Sequence, residues 1–180
     1  MNTKRDDFIR LTLPLERGAA AALRAGDKVL LTGRLYTGRD AAHKRLIACL
    51  DEGAPLPVDL AGEALYYVGP CFREDGTPSA AGPTTSARMD VYAPRLYDFG
   101  VTATIGKGDR SPEVYEAIKR TGGIYLAAIG GAGALYARTI QSCEVVAYAD
   151  LGTEAVRRLE VKDLPAIVAI DSSGGSVFAR

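Results

Sequence analysis

The stretch VTATIGKGDRSPEVYEAIKRTGGIYLAAIGGAGALYART, residues 101–139, decides the fold. Its first five residues are apolar or β-branched and run into Gly106, which predicts a strand over 101–105. Ser111 then opens a helix over 111–120, a second apolar run over 124–129 is a strand, and Gly133 starts a helix over 133–139. Strands alternating with helical segments indicate an α/β layer structure.

Outward toward the N-terminus, the pattern predicts a strand over 8–13, a short Ala-rich helix over 15–23 closed by Gly26, and a β run over 27–36. A helix over 38–50 is stopped by Asp51-Glu52-Gly53, and 64–68 is another strand. Residues 69–83 read as a long loop carrying Pro70, Pro78 and Pro83. A helix begins near Thr84 and is interrupted at Pro94, which suits the first turn of a short helix ending before Gly100. Toward the C-terminus, 143–148 is a strand, and 160–161, 166–170 and 177–178 are short strand pieces. The fold class is α/β with a mixed sheet, in one domain over residues 1–180.

Composition narrows the function. Apolar residues make up 47% and charged residues 24%, an ordinary globular balance. Twenty-two basic against twenty-two acidic residues leave no net charge, so nothing in the balance points to nucleic acid or an anionic membrane. Residues 1–7 mix Lys4 and Arg5 with Asp6 and Asp7, no apolar leader follows, and no run approaches the roughly 18 residues of a membrane span. A cytoplasmic protein is expected. Cys49, Cys71 and Cys143 are odd in number and widely spaced, which argues against a disulfide framework and shows no metal-ligand spacing.

Three motifs fail on inspection. Ile105-Gly106-Lys107-Gly108 is not a phosphate-binding loop: Gly100 lies one residue too far upstream, and Gly108 stands where Ser or Thr must ligate magnesium. Gly130-Gly131-Ala132-Gly133 follows a strand and opens a helix, but Tyr136 occupies the third glycine position of a dinucleotide fingerprint. His43 is the only histidine, and no Gly-x-Ser-x-Gly elbow accompanies it.

Three cations stand in places that a structural role disfavours. On the helix after Thr37, Arg39 and His43 continue the stripe defined by Leu46 and Leu50. A positive charge on an inward face, beside the positive end of a helix dipole, is unfavourable twice over, and an anion would relieve both costs. The alternative is an Arg39 that bends to solvent or pairs with Asp40 or Asp51. Gly82-Pro83-Thr84-Thr85-Ser86-Ala87-Arg88-Met89-Asp90 repeats the arrangement, with hydroxyls where N-caps belong and Thr84 and Arg88 one helical turn apart. There the alternative is a plain N-cap with a surface arginine. Lys107 follows an apolar strand between two glycines, at a strand end where α/β sheets bind ligands. Two arginines and a lysine so placed suit a substrate with two carboxylates.

These segments together resemble the β subunit, or C-terminal domain, of class I fumarases and the related L-tartrate dehydratases. Thr37-Gly38-Arg39-Asp40-Ala41-Ala42-His43-Lys44-Arg45 resembles the first signature, the stretch Gly82 through Asp90 the second, and Ile105-Gly106-Lys107-Gly108 the third. Ala128-Ile129-Gly130-Gly131-Ala132 and Asp150-Leu151-Gly152-Thr153-Glu154-Ala155 also agree, in the same order, so the likeness covers about residues 29–178.

The resemblance implies a swivelling β/β/α fold and an α-subunit partner whose three cysteines hold a 4Fe-4S cluster with one iron open to substrate. It implies that Arg39, Arg88 and Lys107 hold substrate carboxylates and that Thr84 takes part in proton transfer with an acid of the α subunit. His43 and Thr85 are supporting residues, and no metal ligand is expected in this chain. Gly-Arg-Asp-Ala-Ala-His in the first signature favours fumarate and malate over tartrate, with mesaconate an open alternative substrate. A non-catalytic dicarboxylate-binding module is the reading from a different functional class.

Overall fold

In a computed structural model, which describes residues 8–15 and 17–178, the chain builds a seven-stranded sheet and a small two-stranded one. The order is β1 (Ile9–Leu13), α1 (Arg17–Ala22), β2 (Lys28–Thr37), α2 (Asp40–Asp51), β3 (Ala64–Tyr66), β4 (Cys71–Phe72) and β5 (Pro78–Ala80). There follow α3 (Ala93–Phe99), β6 (Ala103–Gly106), α4 (Pro112–Thr121), β7 (Ile124–Ala127), α5 (Gly133–Thr139), β8 (Ile140–Ala147) and β9 (Val156–Ile170). Two short 3-10 turns, Ser86–Met89 and Ala149–Glu154, precede α3 and β9.

The large sheet runs β1-β2-β3-β6-β7-β9-β8, and an additional β2–β9 pairing closes it into a small barrel. β2, β3, β6 and β7 are mutually parallel, while β9 is antiparallel to both β2 and β7. The α/β class with a mixed sheet is therefore as the alternation predicts. Four neighbouring strands consequently end on one rim of the barrel.

The barrel is filled by Leu31 and Leu35 of β2, Ile105 of β6, Leu126 of β7, and Leu159, Leu164 and Val168 of β9, all without solvent exposure. Each such side chain contributes about 1.5–3 kcal/mol through burial. Outside it, α2 packs Ala42 and Leu46 against Leu60, Leu65, Tyr67 and Met89. α4 packs Val114, Ala117 and Ile118 against Tyr125 and Ala169.

The structure corrects several expectations. Residues 156–170 form one strand rather than separate pieces, because the break at Asp163, whose φ is +54°, is a local irregularity within a continuous β2 pairing. Residues 177–178 make no strand; Ser176 bridges Ile170, and Val177 N–H donates to Ala169 O at 3.0 Å. The expected loop 69–83 contains the hairpin β4–β5, which turns at Gly76 with φ of +81°. β8 begins three residues early, at Ile140. The charged segment 1–7, and Glu16 in the expected first helix, lie outside the described residues. Among the described residues no helix is long and apolar enough to cross a membrane.

Candidate functional site

Two of the three unusual cations, Arg39 and Lys107, follow the carboxyl ends of parallel strands of the large sheet, where an α/β sheet opens its crevice. Arg39 comes after β2, Lys107 after β6, and Gly130, after β7, borders Lys107. The segment carrying Thr84 and Arg88 is pinned to the same rim, since Thr84 N–H donates to Tyr67 O just beyond β3, at 2.7 Å.

Thr37 fixes the end of β2. Its hydroxyl donates to Ala155 O at 3.2 Å and accepts from Arg157 N–H at 3.0 Å. Arg39 is then the cap residue of α2, with extended φ and ψ of −126° and −167°, and so precedes the helix rather than belonging to its inward stripe. Its guanidinium crosses Gly69, where a Cβ would stand 2.9 Å from Nη1 and 3.0 Å from Thr153 O. Arg39 Nη2 lies 3.6 Å from Glu154 Oε1, and Glu154 Oε2 accepts from Ala41 N–H at 2.9 Å. Neither alternative partner holds Arg39: Asp40 binds Arg88, and Asp51 binds Arg95. Arg39 Nε is buried with no hydrogen-bond partner among the described residues.

His43, fully buried one turn later, hydrogen-bonds through Nδ1 to Arg39 O at 2.8 Å. A carbonyl only accepts, so Nδ1 carries the proton and Nε2 is the unprotonated nitrogen. Nε2 is buried without a partner among the described residues. The ring sits edge-on to Tyr67, with centroids 5.2 Å apart. Burial pushes its pKa down to about 4, and nearby Arg110 adds to the shift. At neutral pH it is an uncharged prop beneath Arg39.

The Thr84 segment departs from the expected helix. Only Ser86–Met89 turns, as a single 3-10 turn, so Thr84 and Arg88 do not share a helical face. Thr85 holds the cap position without a side-chain cap bond. The chain is extended there instead. Thr85 pairs with Lys107 as a parallel bridge, Lys107 N–H donates to Thr84 O at 3.2 Å, and Ser86 N–H donates to Lys107 O at 2.9 Å. This two-residue ladder sets Thr84, Thr85 and Lys107 side by side. Ser86 Oγ packs so closely on Gly106 that a Cβ there would collide with it. Arg88 reaches α2, donating from Nε and Nη2 to Asp40 at 3.0 and 2.7 Å.

A buried polar network underlies this rim, and no residue pattern announced it. Arg110, whose side chain is fully buried, donates to Asp90 at 2.7 Å, to Thr104 at 3.0 Å and to Tyr67 at 3.3 Å. Its guanidinium lies over the rings of Tyr67 and Tyr125. Burial opposes its charge, but Tyr67, Tyr97 and Asp90 more than offset that, and its pKa is raised. Asp90 also accepts from Ser111 N–H at 2.6 Å, and Tyr125 bonds Ser86 Oγ at 2.9 Å.

The structure thus gathers Arg39, His43, Thr84, Thr85, Arg88 and Lys107 around one rim, through backbone ladders and ion pairs. Sequence reasoning offered Asp40 as a partner of Arg39 and missed its pairing with Arg88; it also missed Glu154 beside Arg39 and the Asp90–Arg110 pair beneath the rim. Asp40, Asp90 and Glu154 all lie inside the quoted signatures, which was the available signal. Cys49, Cys71 and Cys143 lie on α2, β4 and β8, and no three His, Cys, Asp or Glu side chains converge to hold a metal ion among the described residues.

Known proteins are similar to this chain. The family described as Fumarase C-terminus matches residues 2–180. Fumarate hydratase 2 of Leishmania major is 38% identical over 158 residues, covering 86% of this chain and 28% of the relative. A putative class I fumarate hydratase of Geobacillus stearothermophilus is 41% identical over 175 residues, covering 94% of this chain and 33% of that protein. A putative L(+)-tartrate dehydratase subunit beta of Methanocaldococcus jannaschii is 39% identical over 163 residues, covering 87% of this chain and 84% of the subunit. The chain thus spans about a third or less of the fumarate hydratases and most of the tartrate dehydratase subunit.

Proposed function

The chain belongs to the fumarase C-terminus family, and from that premise we propose that it is the β-type part of an iron–sulfur hydro-lyase that reversibly hydrates fumarate to malate. It acts as a single domain over 1–180, of the swivelling type associated with the family, in a cytoplasmic complex with an α partner that carries the 4Fe-4S cluster. The cluster supplies Lewis acidity toward the substrate when bound.

The observation that supports this reading is that the segments bearing Arg39, Arg88, Lys107 and Thr84 meet at one rim. Three cationic side chains there suit the two carboxylates of a small dicarboxylate, with arginine able to bind a carboxylate by two parallel hydrogen bonds. Thr84 is half-buried and held by backbone bonds on both sides, to Tyr67 and Lys107, which fixes where its side chain leaves the main chain. In this mechanism the arginines and Lys107 orient the substrate, and the Thr84 hydroxyl passes the proton removed or added at carbon, in relay with an acid of the partner.

Tartrate is the second substrate reading, because the tartrate dehydratase subunit matches this chain over most of both lengths. Co-expression with the α-type partner and anaerobic assay against fumarate, malate, mesaconate and tartrate tests the proposal. Turnover of fumarate and malate, absent when either chain is omitted, is expected. Turnover of tartrate alone transfers the assignment to the second reading, and binding without turnover in a fully assembled complex leaves a dicarboxylate-binding module.

A further inference from the structure

We propose that Asp40 is the positioning residue for Arg88, so that the two arginines of the rim form one clamp of fixed span. The inference rests on the dicarboxylate reading above. Asp40 is the first residue of α2 and directly follows Arg39. Its two carboxylate oxygens accept from Nε and Nη2 of Arg88 at 3.0 and 2.7 Å. The distance between the two arginines is thereby set by one peptide unit and one bidentate ion pair, although 48 residues separate Asp40 from Arg88 in the chain.

The edge used matters. A guanidinium gripped along its Nε–Nη2 side keeps both Nη1 protons and the second Nη2 proton for the fork at its end. Asp40 can thus fix the plane of Arg88 without consuming the fork that a substrate carboxylate would take. Its position also suits the first turn of α2, where a carboxylate faces the positive end of the helix dipole. With Arg88 51% and Asp40 33% exposed, the pair is open to solvent. A pair so exposed contributes little to stability, so its loss is read in substrate binding and not in melting temperature. The opposite role is a carboxylate that competes with the substrate for Arg88, and it makes the opposite prediction.

The test is steady-state kinetics of the assembled complex with fumarate and with fumarate monoamide, which lacks one carboxylate. Asp40→Asn is expected to raise the fumarate KM about tenfold while kcat stays within about threefold and the melting temperature is unchanged. Its effect on the monoamide is expected to be smaller, and Asp40→Glu should recover part of the loss. Because Asp40 acts through Arg88, Asp40→Asn combined with Arg88→Met should bind fumarate no more weakly than Arg88→Met alone. An unchanged or lowered KM, multiplying effects in the double variant, or loss of assembly in Asp40→Asn each overturn the positioning role. If the wild-type complex converts no dicarboxylate, the functional reading falls and this inference falls with it; a normal wild type with an insensitive Asp40 removes the inference alone.

Discussion

Arg110 and Asp90 form a buried ion pair, 2.7 Å long, that joins the segment bearing Thr84, Thr85 and Arg88 to the segment bearing Lys107. Both partners have further hydrogen bonds, to Thr104, Tyr67 and Ser111, so neither charge is left bare. The pair is therefore a buried fixture between two loops that also meet through the Thr85–Lys107 bridge.

Removing one partner strands the other charge in a low-dielectric setting, which typically costs about 3–5 kcal/mol. Arg110→Met and Asp90→Leu should each lower unfolding free energy by roughly that amount in urea titrations of the purified protein. The double variant should lose clearly less than the sum. Additive losses would mean that the two residues stabilise separate parts of the fold.

Thr84→Val tests the proton-transfer role with little structural confusion. The threonine lies ahead of the 3-10 turn, and its recorded backbone bonds use N–H and C=O, which valine keeps. The melting temperature should therefore hold while kcat falls roughly 10²- to 10⁴-fold, with KM much less affected. Thr84→Ser should restore much of the rate. A stable, assembled Thr84→Val enzyme with near-normal turnover takes Thr84 out of the chemistry.

Arg39→Met should lower kcat/KM about ten- to hundredfold, the value of a charge-assisted hydrogen bond to a carboxylate. Gly69→Ala probes the same side chain from outside, since its Cβ would meet Arg39 Nη1 at 2.9 Å. It should shift kcat/KM in the same direction by less. Wild-type kinetics in both variants would remove Arg39 from substrate binding.

His43 gives stability a pH dependence of definite sign. Its folded pKa is depressed from 6.5 to about 4, so the unfolded chain takes up the proton first on acidification. The neutral ring's contribution is complete above about pH 6.5 and is lost progressively down to pH 4, for a total on the order of 3 kcal/mol. Denaturant titrations of wild type and His43→Gln at pH 7.5 and pH 4.5 should show a smaller acid loss in the variant. Equal losses would mean that His43 titrates normally.

What the sequence made legible follows the range of the interactions. The segment 101–139 announced β6, α4, β7 and α5, because each carries its own apolar period and its own breaker. β9 was less readable, since exposed Arg158, Glu160 and Lys162 interrupt its apolar residues and Pro165 lies within it. The hairpin at 71–80 was hidden by strands of two and three residues, too short for any alternation to register. Within the site, Arg39, Arg88 and Lys107 stood out as cations in unfavourable places. Their partners did not: Asp40 meets Arg88 across 48 residues, and Glu154 meets the start of α2 from 113 residues away. Such pairings depend on long-range packing, which no local pattern encodes.

The closing strand is also the last of the described strands to leave a ribosome. Until residues 156–170 are made, β2 and β7 each have an unpaired edge, and Thr37 lacks its partners at Ala155 and Arg157. Unpaired edges template association between chains. The nascent chain is thus most exposed to aggregation just before β9 emerges, and the rim that gathers Arg39, Thr84 and Lys107 takes its final geometry only when that strand slots between β2 and β7.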